Sequence, residues 1–278
     1  MSFEVLASGY GLVEGPTEDV DGTILFSDVF GGGVYRVDPQ TREVTTVVPK
    51  RRGVGGIALH ADGGVVLSGR DIVHVKDGQT RTLFSIEGLP GWNDLCTDGE
   101  GRVYAGALRF PVFDRDAQPI PGECFRIEAE GKATALYGGV MHGNGIAFSP
   151  DGRSTLYHSD TRSGVVLAHD LTRGDDAIER RSFRMQGGQP DGMAVDERGR
   201  IWVASAGGGR VDRYRADGQV EWSLEVPARI VTSLCFAGED GRDLIVTTAD
   251  HTEQPELRGC VLRTRLDVPG AKLTPATI

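Results

Sequence analysis

Six residues of this sequence, Glu14, Gly55, Asn93, Asn144, Asp191 and Ser233, stand at equivalent points of one pattern. Each lies seven positions before an Asp, Glu or Arg that is followed by Gly. Two carboxylates and two carboxamides at a common level would form an all-oxygen cluster, the donor set of a hard divalent cation. Without a cation the carboxylates would repel each other in a low-dielectric channel. A cation so held polarises a carbonyl, lowers the pKa of a bound water and stabilises the oxyanion formed when water adds, so the chemistry expected is hydrolysis of an ester-like bond. Asp191 is the candidate general base, because a carboxylate at the edge of the coordination sphere can take the proton of the attacking water and return it to the leaving alkoxide. Oxygen ligation favours calcium over zinc, magnesium, manganese or ferrous iron. The six histidines (His60, His74, His142, His158, His169, His251) show no ligand spacing among themselves, and no Gly-x-Ser-x-Gly elbow occurs.

The elements that must position this cluster are hairpins. After each lead residue comes a short apolar run, an acidic-plus-glycine turn and a second apolar run, as in Gly55-Gly56-Ile57-Ala58-Leu59 followed by Asp62-Gly63-Gly64-Val65-Val66-Leu67. The six starts are separated by 41, 38, 51, 47 and 42 residues, around the ~40–50 expected of four-stranded propeller blades. Further runs, at Gly33–Asp38, Cys124–Ile127, Val165–Asp170 and Arg210–Tyr214, read as third strands. The sixth repeat has Gly259–Leu266 as its third strand and then only a short polar tail, so Phe3–Ala7 is expected to supply the missing fourth. The fold expected is therefore all-β: one six-bladed β-propeller domain over residues 1–278, its ring closed by the N-terminal strand joining the last blade, which leaves no open sheet edge.

Composition narrows the partners. There are 40 acidic and 30 basic residues, and the longest basic run is Lys50-Arg51-Arg52, so no basic face for nucleic acid is expected. No basic-then-apolar leader or bilayer-length apolar run is visible, which points to the cytoplasm and no membrane partner. The cysteines Cys96, Cys124, Cys235 and Cys260 are far apart without a Cys-x-x-Cys pair, and read as free buried thiols. The partner expected is a small molecule, and the state a monomer or small homo-oligomer.

Taken together, Gln189–Ser205 with the following Gly208-Gly209-Arg210-Val211, Glu14-Gly15-Pro16, Asn93-Asp94 and Asn144–Gly152 resemble the senescence marker protein/gluconolactonase family, which includes luciferin-regenerating enzymes. The resemblance covers most of the chain. It implies a six-bladed propeller with a divalent metal held by Glu14, Asn144 and Asp191, Asn93 beside it contacting metal, water or substrate, and lactone hydrolysis as the activity. Ser233 matches a small hydroxyl residue common at that place.

The sequence departs from the family at the substrate end. Gly91-Trp92 stands where sugar-lactone hydrolases of the family carry an arginine, and the position of their acidic substrate contact falls near Pro111. This argues against a polyhydroxylated sugar lactone and for a less polar or differently charged substrate. Leu108–Pro121 is the longest stretch without a strand pattern and reads as a lid, with Arg109 and Phe110 at its base. Arg109 either takes over the work of the absent arginine or is a solvated loop charge. Trp92, next to Asn93, forms a pocket wall or a plain core aromatic. His142, two residues before Asn144, is a proton shuttle or a structural histidine. Two alternatives stay open: a phosphotriesterase or arylesterase on the same site, and a non-catalytic binding propeller braced by its metal.

Overall fold

The computed structural model describes residues 1–175 and 178–278. Among them, twenty-four strands form six four-stranded antiparallel sheets arranged as the blades of a propeller. The inner strands are Val13–Glu18, Ile57–Leu59, Gly91–Thr97, Gly143–Phe148, Gln189–Val195 and Val231–Ala237, in blades one to six. The expected third strands are all third strands here, at Val34–Val37, Gly122–Ile127, Val165–Asp170 and Arg210–Tyr214. In the sixth blade the outer strand is Glu4–Tyr10, paired antiparallel with Gly259–Arg265. The ring is thus closed by the N-terminal segment, as the sequence leads one to expect.

The hairpins that define the repeat are set by side-chain chemistry. In blade three, Asp98 Oδ1 accepts the amides of Glu100 and Arg102, while its Oδ2 accepts Arg102 Nε and the Tyr104 hydroxyl. Asp196 does the same in blade five, for Arg198 N, Arg200 N, Arg200 Nε and Trp202 Nε1. Gly101 and Gly199 take the turn's left-handed position, at φ 80° and 77°, where a Cβ would be strained. These hairpins lie at one end of the ring. The lead residues and the loops joining second to third strands lie at the other.

The blades pack face to face through apolar side chains. One cluster joins Trp202 and Val211 of blade five to Leu234, Leu244 and Val246 of blade six. Another joins Val66 and Ile72 of blade two to Trp92, Val103 and Phe125 of blade three. All four cysteines are free. No helix among the described residues is long and apolar enough to cross a membrane.

The segment after Arg265 is more than the polar tail read from the sequence. Val268 and Ala276 are buried. The segment crosses the hairpin end of the ring: Glu197 N donates to Pro269 O, Ala271 N to Val195 O, Ala276 N to Leu59 O and Thr277 N to Gly101 O. Its backbone groups bind hairpin groups of blades five, two and three, and Val268, Ala276 and Ile278, spaced without a strand period, enter the apolar clusters between blades, which is why its composition misleads.

Leu6 of the closing strand is 3% exposed and packs with Val13, Ile24, Cys235, Ile245 and Val261 across the joint between blades six and one. Leu6→Ala is expected to lower the unfolding free energy by about 3 kcal/mol, read from urea denaturation. An unchanged midpoint would mean that this joint does not hold the ring.

Candidate functional site

A repeated irregularity aims the lead residues. Pairing between first and second strands loses register between Glu14 and Thr17, Trp92 and Leu95, Gly143 and Ile146, and Pro190 and Met193. In blades one, three, four and five the extra residues form a β-bulge at the mouth end of the inner strand, a device that re-aims side chains beside active sites. Blade two has no such bulge: its inner strand begins only at Ile57, and the amides of Gly55 and Gly56 are taken by Ser68 Oγ at 3.1 and 2.8 Å.

The bulges bring the set together. Glu14 and Asp191 are buried and interact electrostatically, and the Asn144 side chain stands beside Asp191 and favours its charged form. Asn93 Nδ2 donates to Gly143 O at 3.0 Å, which fixes the amide and leaves its Oδ1 on the other side. That oxygen lies 2.4 Å from where a Cβ on Gly55 would sit, so glycine in blade two makes room for the asparagine of blade three. Ser233 Oγ lies as close to the corresponding point on Gly192. Glu14, Asn93, Asn144, Asp191 and Ser233 are thereby neighbours around one axis.

A third carboxylate, Asp94, belongs to the site and escaped the sequence reading. Alternation along a strand would send it to the face opposite Asn93, but both fall in the bulge. Asp94 Oδ1 accepts Leu95 N at 2.7 Å, and its charge acts on both Glu14 and Asp191. Burial pushes the Asp94 carboxyl up to about 7. Glu14 is held well above the usual carboxylate range by burial, then by Asp191 and Asp94. Asp191 is raised by burial and then by Asp94, against the lowering effect of Asn144.

The flanking candidates are less uniform. Trp92 is 1% exposed, its ring packed on Phe84 and Phe125 between blades two and three; its backbone reaches the site by pairing with Gly69. Arg109 donates two bonds to Glu123, Nε to Oε2 at 2.8 Å and Nη2 to Oε1 at 3.1 Å. These two residues bracket residues 110–122, so the ion pair staples the base of the loop between the second and third strands of blade three. Phe113 in that loop meets Phe30 of blade one, centroids 4.9 Å apart. His142 N donates to Asp160 Oδ1 at the mouth of blade four, and burial lowers its imidazole to about 4, so it is neutral at pH 7.

The donors fit a hard divalent cation. Asp191 Oδ1 is buried without a hydrogen-bond partner, an acceptor that calls for a cation or proton. Asn144, beside Asp191, brings a carboxamide to the same place. Among the described residues no three His, Cys, Asp or Glu side chains gather as a ligand set, so two carboxylates need carboxamide oxygens to complete one.

Comparison with known proteins places the chain in a family. A family model described as the SMP-30/Gluconolactonase/LRE-like region matches residues 12–250. The chain belongs to this family. It is 35% identical to the 6-deoxy-6-sulfogluconolactonase of Pseudomonas putida, over 93% of this chain and 92% of that one. It is 31% identical to regucalcin of Xenopus laevis, over 96% and 95% of the two chains. Among solved structures, a luciferin-regenerating enzyme superposes with a TM-score of 0.87 over 100% of this chain and 99% of that one, at 24% identity, and so shares the fold.

The raised carboxyls make stability depend on pH. A group whose folded pKa exceeds its unfolded one contributes stability that is full below the unfolded value and lost as pH rises through the folded value. With Asp94 at about 7, and Glu14 and Asp191 also raised, the melting temperature of chelator-treated protein should fall as pH rises from about 4 to about 8. Saturating calcium should abolish the fall. Identical pH profiles with and without calcium would contradict the site.

Proposed function

We propose that this protein is a metal-dependent lactonase. The observation that carries the reading is the pair of buried carboxylates, Glu14 and Asp191, with Asn144 beside one of them and an unpartnered oxygen on Asp191. A divalent cation, calcium for an all-oxygen site, would be held by Glu14, Asn144 and Asp191 and would supply Lewis acidity toward the lactone carbonyl. Asp191 accepts the proton of the attacking water as the oxygen bonds to the carbonyl carbon. When the ring carbon–oxygen bond breaks, Asp191 returns that proton to the alkoxide, leaving a hydroxy acid. Asn93, its NH2 group engaged by Gly143 O, offers Oδ1 to a substrate hydroxyl. His142, neutral at working pH, can relay a proton at the mouth. Arg109 presents to substrate only what Glu123 leaves free of its guanidinium.

The substrate class proposed is a sugar-type lactone bearing a charged group. Membership of the family and the relative named a 6-deoxy-6-sulfogluconolactonase support it. The test is a panel of neutral and sulfonated aldonolactones, aryl esters and phosphotriesters, assayed with chelator and with calcium restored. Lactone turnover that stops on chelation and returns with calcium is expected. Asp191→Asn should lower kcat by about 10³-fold with the circular dichroism spectrum unchanged. Turnover of phosphotriesters alone, or an active Asp191→Asn enzyme, would overturn the assignment.

A further inference from the structure

The reading that Asp191 is the base leaves open what fixes a side chain carried on a bulge, where the ladder of its own blade is interrupted. Two hydroxyls from blade four bond to blade five at this point. Ser159 Oγ donates to Asp191 O at 2.7 Å, and Thr161 Oγ1 donates to Pro190 O at 2.7 Å. The Pro190 oxygen belongs to the peptide plane before the Asp191 Cα, and the Asp191 oxygen to the plane after it. With both planes tethered, φ and ψ of Asp191 are set, and with them the direction of its Cα–Cβ bond.

The surroundings leave these carbonyls no other way to turn. A Cβ on Gly145 would sit 2.4 Å from Asp191 O, and on the far side Gly192 lies against Ser233. Ser159 is fully buried. A single tether of the same kind stands at the other buried carboxylate of the site, where Ser27 Oγ of Glu14's own blade spends its hydrogen on Val54 O. That tether is Thr232 Oγ1 of blade six, which donates to Val13 O at 2.5 Å. Asn144, which is neutral, also has one such bond, from Asn93 to Gly143 O.

The geometry points to Ser159 and Thr161 as positioning residues, which hold Asp191 in the one orientation that serves both cation and attacking water by pinning the peptide on each side of it. This rests on the lactonase reading for its catalytic consequence, but the tether acts on cation binding as well. A carboxylate displaced by a fraction of an ångström on a bulge loses far more in rate than in fold stability.

The experiment compares Thr161→Val, Thr161→Ser, Ser159→Ala and the core variant Leu224→Ala on the best lactone, and measures calcium affinity by calorimetry and melting temperature for each. Thr161→Val and Ser159→Ala should each lower kcat by about tenfold with KM changed less than about twofold, and weaken calcium binding by about tenfold. Thr161→Ser keeps the hydroxyl and should stay near wild type. Leu224→Ala, buried in blade five away from the axis, should lose melting temperature alone. If Ser159→Ala did not fold, Thr161→Val, at a half-buried position, would still decide the matter. Wild-type kcat and calcium affinity in Thr161→Val, or losses in Leu224→Ala equal to those in the hydroxyl variants, would overturn the proposal. Should the wild-type protein turn over no lactone, a tenfold loss of calcium affinity in Thr161→Val would still support the tether while the lactonase reading fell.

Discussion

Like charge held apart from water governs this molecule. Glu14 and Asp191 come from opposite halves of the sequence, are both buried, and act on each other with Asp94 close by. Such a group of carboxylates in a low-dielectric interior is tolerated only with protons or a cation between them. A fold that brings them together must be stiff enough to resist their separation, and the propeller supplies that stiffness by closing on itself. The strand Glu4–Tyr10, laid on Gly259–Arg265, leaves no blade free to swing outward.

Stiffness of the ring is carried to the side chains through the joints between blades. Thr232 reaches from blade six to Val13, Ser27 from blade one to Val54, Asn93 from blade three to Gly143, and Ser159 and Thr161 from blade four to blade five. Between blades two and three the link is backbone pairing of Gly69 with Trp92. Each bond ends on the main chain at, or one residue before, a residue that leads its inner strand. Neighbouring blades therefore position one another's functional groups, while the apolar clusters beneath supply the cohesion.

What could be read from the sequence follows from what is periodic. The acid–glycine turns recur because a tight hairpin needs a left-handed glycine and a carboxylate to collect its amides, so blade number, third strands and ring closure were legible. The lead residues were legible for the same reason, since a fixed distance from a hairpin fixes a level on the axis. What breaks the period was hidden. The bulge turns Asp94 inward, although alternation sends it out. Trp92, one residue from Asn93, puts its ring into the core between blades. Arg109 meets Glu123, fourteen residues away, because the loop between them doubles back. Bonds from Ser159 and Thr161 to another blade's carbonyls leave no trace in a single sequence, because their acceptors have no side-chain identity.

The central claim is that Glu14, Asn144 and Asp191 form one site whose carboxylates are protonated until a cation displaces the protons. Isothermal titration of chelator-treated protein with calcium at pH 7, repeated in buffers of different ionisation enthalpy, measures both stoichiometry and protons released. One calcium per chain, bound with net proton release that is smaller in Asp191→Asn, is the result expected. Absence of binding, or binding with no proton exchanged, would contradict it.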